Sequence, residues 1–138
     1  AGILFRDAID GLLVRRGLGD GQDKLVTIDV NPTGPIITPF AGTGAAGFSG
    51  DGGPALAAEC NSLVGLAVDV AGNVFVVDEY NHRVRKVEAA TGLVRTVAGS
   101  GESYPPSNAG YAGDGGPATL ALLSWPEEVA GDGAGNVV

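Results

Sequence analysis

The stretch that decides the fold is Gly47-Phe48-Ser49-Gly50-Asp51-Gly52-Gly53-Pro54-Ala55, because a near-copy of it recurs later as Gly110-Tyr111-Ala112-Gly113-Asp114-Gly115-Gly116-Pro117-Ala118. Asp51 and Asp114 are 63 positions apart. The same spacing separates Asp69-Val70-Ala71-Gly72-Asn73-Val74 from Asp132-Gly133-Ala134-Gly135-Asn136-Val137. Self-similarity at one fixed period is typical of a repeat architecture, so the chain is predicted to fold as successive copies of one unit.

The complete unit between the copies contains four short apolar runs, at residues 64–69, 73–78, 82–87 and 93–98. Gly- and Asn-containing turns separate these runs, which favours strands over helices. The run at 73–78 is the most hydrophobic and is predicted to be buried on both faces, whereas 82–87 mixes polar and apolar residues. Four antiparallel strands per repeated unit are typical of the blades of a β-propeller. The predicted fold class is therefore all-β, with about two blades' worth of a propeller.

The residues outside the complete unit are also consistent with four-stranded blades. Residues 1–41 are predicted to be the C-terminal strands of a preceding blade, with strands at 3–5, 24–29 and 36–41 and an inserted loop at 8–22. Residues 42–98 are a linker and one complete blade, and residues 99–138 are an inserted loop, a linker and the start of the next blade. Within the first loop, residues 9–18 either form a helical turn or pack as an embellishment. Because Val137-Val138 would leave an unpaired strand edge, we expect the chain to be an excerpt of a longer polypeptide or to share blades between copies.

The repeated motifs resemble the NHL repeat. The resemblance rests on Gly-Asp-Gly-Gly-Pro-Ala, on Asp-x-Ala-Gly-Asn-Val, and on Asp78-x-x-Asn81-His82-Arg83-Val84-Arg85-Lys86-Val87. It covers residues 36–99 almost completely, residues 100–138 apart from the inserted loop, and residues 1–35 weakly. It implies a closed propeller, commonly of six blades. One departure is Glu127-Glu128, where small residues are usual, and another is Gly131, where a Val-like residue is expected.

Composition narrows the function classes. The 138 residues carry a formal charge of −8, which disfavours nucleic-acid binding because an acidic surface repels phosphate. Cys60 is the only cysteine, so the chain has no internal disulfide, and it is predicted to be a buried packing residue. No apolar stretch approaches about 18 residues, so no membrane span is expected. The sequence leaves the compartment open, and an extracellular or cell-surface assembly is favoured.

Several polar residues belong to the repeat and are predicted to be structural. In this interpretation each aspartate accepts backbone N–H bonds beside a glycine turn, although the loops of Asp51 and Asp114 also leave calcium binding as an alternative. His82 is the sole histidine, and one histidine with one cysteine cannot form a standard zinc site. Arg85 and Arg95 are predicted to form surface ion pairs. We predict no catalytic residue, no metal and no cofactor, and a structural motif of Asp51, Asp114, Asp69, Asn73, Asp78, Asn81, His82 and Arg83.

Residues that break the repeat are the better candidates for recognition, because the fold does not demand them. These are Tyr104 in the inserted loop and the group Trp125, Glu127 and Glu128. We therefore predict a non-enzymatic protein-interaction or structural scaffold module that binds a protein partner or further copies or blades of the same polypeptide. The alternative is a fragment of a propeller lyase or hydrolase whose catalytic residues lie mostly outside this segment. RNA binding is a third hypothesis, which the acidic charge disfavours.

Overall fold

The structure is a computed structural model, and it describes residues 3–5, 12–16, 24–29, 36–101, 112–132 and 134–138. The described part is all-β. Sheet 1 has four strands in the order β1-β2-β3-β4, and each neighbouring pair is antiparallel. Its strands are β1 (Ile3–Phe5), β2 (Leu12–Arg16), β3 (Lys24–Asp29) and β4 (Ile36–Ala41).

Sheet 1 corrects one prediction, because the segment 8–22 is not a plain inserted loop. Its middle forms β2, which pairs with β1 on one side and with β3 on the other. The sheet therefore has four strands, of which β1 is the first, where the sequence predicted three. A five-residue apolar and basic run has no decisive periodicity, so the adjacent strand, which supplies hydrogen-bond partners, determines its conformation. The predicted strands at 24–29 and 36–41 are confirmed.

Sheet 2 lies wholly within residues 42–98 and contains the complete unit. Its strands are antiparallel in the order β5-β6-β7-β8. They are β5 (Leu63–Val68), β6 (Val74–Asp78), β7 (Arg83–Val87) and β8 (Val94–Ala98). All four predicted strands are confirmed to within one residue at each end.

Both faces of sheet 2 are covered by neighbouring units. On one face, Val74 and Val76 of β6 pack in a cluster with Leu25 and Ala41 of sheet 1. On the other face, Phe75 and Val77 pack in a second cluster with Val129, which follows sheet 2 in the chain. Because side chains alternate along a strand, β6 is buried at every residue, as the sequence predicts. Consecutive units therefore stack face to face.

The 63-residue repeat is reproduced in the backbone hydrogen bonds of the linkers. Gly53 N–H donates to Gly50 O at 2.9 Å, and Gly116 N–H donates to Gly113 O at 3.0 Å. A single 3-10 turn follows each glycine loop, Ala55–Ala57 in one copy and Ala118–Leu120 in the other. A third 3-10 turn, Glu79–Asn81, joins β6 to β7. None of the helical turns in the described ranges is long or apolar enough to cross a membrane.

Candidate binding surface

Half of the predicted structural residues lie at one end of the strands of sheet 2, which we call an edge of the sheet: Asp78, Asn81, His82 and Arg83. The strand register pairs Leu63 with Asp78, Asp78 with Arg83, and Val84 with Ala98. The start of β5, the 3-10 turn Glu79–Asn81 and the end of β8 therefore lie at the same edge. The two linkers, which enter β5 and leave β8, meet there as well.

Asp78 and Asn81 connect this edge to the linker that precedes β5. The buried Oδ1 of Asp78 accepts hydrogen bonds from Asn61 N–H at 2.8 Å and from Asn81 Nδ2 at 2.7 Å. Asn81 Nδ2 also donates to Gly47 O at 2.8 Å. Burial raises the pKa of Asp78, and these hydrogen bonds oppose the rise only in part. The predicted structural role of Asp78 and Asn81 thus corresponds to a network that ties the linker to the sheet.

The central charged residue of the unit is Arg85, which the sequence interpretation placed on the surface. Its side chain is 0% exposed, so that prediction was wrong. Its Nη2 and Nε donate to Asp51 Oδ1 at 2.8 and 3.2 Å, and Nη1 and Nη2 donate to the carbonyls of Glu59 and Ser49, both at 2.8 Å. Nη1 also lies 3.7 Å from Asp78 Oδ2. Four groups thus surround one guanidinium, which fixes the glycine loop onto β7. Arg95 does form the predicted surface pair, with Glu88 at 2.7 Å.

Asp51 is fully engaged by protein groups. Besides Arg85, it accepts bonds from Thr96 N–H at 3.1 Å and Thr96 Oγ1 at 2.6 Å. Partial burial would raise the pKa of Asp51, but the bonds from Thr96 and Arg85 outweigh that effect and hold the pKa below its usual value. A carboxylate already neutralised by a guanidinium is a poor calcium ligand, so the geometry favours the structural interpretation of this loop. Asp114, the matching residue of the second copy, is exposed.

Asp69 and Asn73 close the turn at the opposite edge of sheet 2. Asp69 accepts bonds from Ala71 N–H, Asn73 N–H and Asn73 Nδ2, at 2.9, 2.9 and 2.7 Å. Asp132 forms the same three bonds with Ala134 and Asn136 in the next unit. The bond from Asn136 Nδ2 lowers the pKa of Asp132, while the bonds from Asn73 outweigh slight burial and lower that of Asp69. Both carboxylates therefore stabilise their turns by accepting hydrogen bonds.

Cys60 is buried, as predicted, beneath Arg85. Its Sγ lies 3.4 Å from Arg85 Nη1, a basic contact that the sequence interpretation did not anticipate. Burial nevertheless dominates and raises the pKa of the thiol to about 12. Cys60 is thus neutral near pH 7 and is not an activated nucleophile. Among the described residues, no group of three histidine, cysteine or acidic side chains comes close enough to hold a metal ion.

His82 joins sheet 2 to the next unit. It adopts the left-handed conformation at φ 52°, and it is 6% exposed. Its Nδ1 accepts a hydrogen bond from the backbone N–H of Trp125 at 3.2 Å. This hydrogen bond connects the edge of sheet 2 to the following unit.

Trp125 itself is largely exposed and forms an aromatic cluster. Its ring is perpendicular to that of His82, with centroids 5.2 Å apart, and it meets Tyr80 edge to face, also at 5.2 Å. The exposed fractions are 56% for Trp125 and 50% for Tyr80. Tyr80 was not among the predicted binding residues, because its neighbour Trp125 lies 45 positions away. Only the exposed turn position of Tyr80 between two strands indicated it.

The backbone of Trp125 shows that the repeat requires its conformation and not its side chain. Trp125 has φ 50°, and Ser62, 63 positions earlier, has φ 60°. Ser62 is buried and donates to Glu79 Oε2 at 2.7 Å, whereas the indole of Trp125 extends into solvent. The same left-handed position thus carries a buried hydroxyl in one unit and an exposed aromatic ring in the next.

Glu127 and Glu128 follow directly and are exposed. Their backbone packs against Gly65 of β5, where an added β-carbon would lie 2.7 Å from both Glu127 O and Glu128 Cα. We call the side chains of Tyr80, Trp125, Glu127 and Glu128 the aromatic–acidic surface. Three of the four predicted binding residues are thus exposed and adjacent in the sequence, and the structure adds Tyr80, whose ring contacts that of Trp125. The fourth, Tyr104, and its loop lie outside the described residues.

Arg83 completes the edge by holding the second linker. Its guanidinium lies 3.8 Å from the centroid of the Phe48 ring, and Nη2 donates to Ser100 O at 2.6 Å. Nη1 donates to Asn81 O at 3.3 Å. The guanidinium of Arg83 is thus bound by two backbone carbonyls and one aromatic ring of the same chain.

Comparisons with known proteins agree with the repeat. Residues 61–87 match the family model of the NHL repeat. The crystal structure of a structural genomics protein of unknown function from Bacteroides thetaiotaomicron is similar to this chain, with a TM-score of 0.70 at 19% identity. The match covers 92% of this chain and 28% of that one, so this chain spans less than a third of its length. No curated protein matches the chain. The structural likeness, at this identity, concerns the fold alone.

Proposed function

We propose that this chain, which carries an NHL repeat at residues 61–87, is a segment of a β-propeller and serves as a non-enzymatic protein-interaction module. Its binding site is the aromatic–acidic surface. The observation that carries the proposal is that two large aromatic side chains, Tyr80 and Trp125, are at least half exposed on a backbone fixed by hydrogen bonds.

The propeller architecture is supported by the stacking of the units. Sheet 2 has four antiparallel strands, and neighbouring units bury both of its faces. Radial repetition of four-stranded sheets is how propellers cover all but short, protected edges. The repeat match and the similar solved structure point the same way.

The binding role is supported by the energetics of exposed aromatic side chains. Trp and Tyr are enriched among the residues that dominate protein interfaces, because each buries a large area with few rotatable bonds. Here the backbone N–H of Trp125 donates a hydrogen bond to His82, and that of Tyr80 donates one to Asn61 O at 3.1 Å. The backbone of both residues is therefore fixed before a partner binds. Such preorganisation lowers the entropy cost of association.

A site-specific photo-crosslinker tests the proposal. A benzophenone amino acid is introduced at Tyr80 and, as a matched control, at the exposed Ala90 on the opposite edge of sheet 2. Irradiation in an extract of the source cells should give discrete protein adducts at position 80 that disappear when Trp125→Ala is added. Equal adduct yields at both positions, no adduct at position 80, or adducts indifferent to Trp125→Ala would contradict a binding role for this surface.

A further inference from the structure

Three residues of the aromatic–acidic surface, Trp125, Glu127 and Glu128, lie in the part of the chain with the most one-sided charge. Residues 1–95 contain all eight basic residues together with eleven acidic ones. Residues 96–138 contain no Lys, Arg or His, and they contain five acidic residues: Glu102, Asp114, Glu127, Glu128 and Asp132. Five of the eight net negative charges therefore belong to this last segment, which includes Trp125. A surface of one sign attracts a partner of the opposite sign and accelerates the encounter.

The aromatic rings supply the second element of recognition. The negative face of an aromatic ring attracts a Lys or Arg side chain, and Trp is the best ring for this contact. The basic residues nearest to this edge are already engaged, since Arg83 binds Ser100 O and stacks on Phe48 and Arg85 is buried against Asp51. Within the described residues, no ion pair involves Glu127 or Glu128. Among the residues whose side chains the structure describes, no cation lies over the indole of Trp125, so its face is open to a cation of a partner.

We propose that the partner presents a Lys- or Arg-rich segment, whose cations stack on Trp125 and Tyr80 and pair with Glu127 and Glu128. This inference rests on the proposed function and specifies the chemistry of the partner. Since phosphate would be repelled by the same carboxylates, the charge pattern favours a basic peptide over a nucleic acid. Ser62 shows that the fold accepts a small side chain at the position equivalent to Trp125, so the indole is free to serve recognition.

The test uses three fluorescein-labelled peptides of equal length, in which Gly alternates with Arg, Gln or Glu. Binding to the protein is followed by fluorescence anisotropy, with the emission of Trp125, the sole tryptophan, as a second readout. The Arg peptide should bind and shift the Trp125 emission. Its affinity should fall as the salt concentration is raised, because exposed charges are screened. Equal binding of the Gln peptide, or the absence of any Arg-peptide binding at low salt, would overturn the inference.

Variants separate the two contributions of the surface. Trp125→Leu should weaken binding of the Arg peptide about 5- to 30-fold, since it keeps apolar bulk but removes the cation–π contact. The double variant Glu127→Gln/Glu128→Gln should flatten the salt dependence, whereas Glu88→Gln, on the turn at the opposite edge of sheet 2, should leave it nearly unchanged. Thermal unfolding of each variant confirms that it is folded. If the double variant and Glu88→Gln behaved alike, the acidic part of the proposal would be wrong.

The crosslinking and peptide experiments distinguish failure of the proposed binding function from failure of the basic-segment inference. If crosslinking at position 80 yields a partner whose contacting segment is not basic, the binding function stands and the basic-segment inference is lost. If no partner crosslinks while the Arg peptide still binds in a Trp125-dependent manner, the surface recognises cations without serving a protein partner in those cells.

Discussion

At the scale of single residues, the unit is organised around a buried charge. Arg85 satisfies its donors with Asp51 and with the carbonyls of Ser49 and Glu59. Asp78 Oδ2 accepts no hydrogen bond from the described residues and faces Arg85 Nη1 at 3.7 Å. A buried charge that loses its partner is costly, because desolvation is no longer offset. Because Arg85 reaches Asp51 and two backbone carbonyls in different directions, we expect the planar shape of the guanidinium, and not its charge alone, to hold the glycine loop.

The conservative change Arg85→Lys tests this role of geometry. A single ammonium cannot reproduce the fork that reaches Asp51 and two carbonyls, so the free energy of unfolding should fall by about 2–4 kcal/mol. The matched control is Arg95→Lys in the exposed pair with Glu88, which should cost less than about 0.5 kcal/mol. Urea unfolding of both variants gives the comparison, and similar small losses would show that the charge alone suffices.

The lowered pKa of Asp51 predicts a pH dependence of stability. Because the folded pKa lies below the unfolded value of about 3.9, Asp51 stabilises the fold above that value, and this contribution is lost as the pH falls through the folded pKa. The stability difference between the protein and Asp51→Asn should therefore be largest near neutral pH and shrink on acidification. A difference that is constant with pH would refute the linkage.

Sequence separation decides which of these contacts the sequence could reveal. Asp69 and Asn73 are four residues apart in a glycine turn, and their bonding follows from local rules. Arg85 and Asp51 are 34 residues apart, as are Asn81 and Gly47, and only the fold brings them together. Arg85, between Val84 and Lys86 in a predicted half-exposed strand, therefore resembled a solvated residue. Trp125, by contrast, was identified because it departs from the repeat, which is a property of the sequence alone.

At the scale of elements, the repeat predicts sheet 2 better than sheet 1. The complete unit lies between two copies of the glycine motif, and its four strands are confirmed. The strand β2 was missed because residues 1–35 match the repeat weakly, and the local pattern left only a helical turn or a packed embellishment as interpretations of residues 9–18. The assignment of β3 is supported by a recurring contact: a β-carbon at Gly44 would collide with Lys24 of β3, as one at Gly101 would with Arg83 of β7. Each third strand thus places a long cationic side chain under the following linker.

The contact of Gly65 with residues 127 and 128 gives a prediction at this scale. In Gly65→Ala the new methyl group would press on backbone atoms of Glu127 and Glu128 and on Val77 Cγ2, at 2.7, 2.7 and 2.9 Å. Overpacking of this kind should lower the free energy of unfolding by about 1–3 kcal/mol and alter the emission of Trp125.

The matched control for this variant is Gly131→Ala, also at a glycine without positive φ. Its nearest neighbour to an added β-carbon is Asn136 O at 3.9 Å, so the change should be nearly neutral. Chemical unfolding and tryptophan fluorescence are measured on both variants. Equal effects would mean that the close approach at Gly65 does not position the aromatic–acidic surface.

At the scale of the whole molecule, stability depends on the contacts between units. The cluster on one face of sheet 2 includes Leu25 and Ala41 of sheet 1, and the cluster on the other includes Val129 of the following unit. Nearest-neighbour contacts of this kind make the stability of a repeat protein a sum over units and interfaces. The aromatic–acidic surface follows from the same arrangement, since the backbone of Trp125 is hydrogen-bonded to His82 of the preceding unit.

Two substitutions on opposite faces of β6 test this stacking. Val74 and Val77 are both 0% exposed, and Val74 packs in the cluster shared with sheet 1 while Val77 packs in the cluster shared with the following unit. If both faces are covered, Val74→Ala and Val77→Ala should each cost about 1–3 kcal/mol from lost burial and the cavity left behind. Val70→Ala, at a turn position 87% exposed, should cost almost nothing. Urea unfolding measures all three, and a cost for Val77→Ala as small as that for Val70→Ala would mean that this face is open to water, so that units stack on one side only.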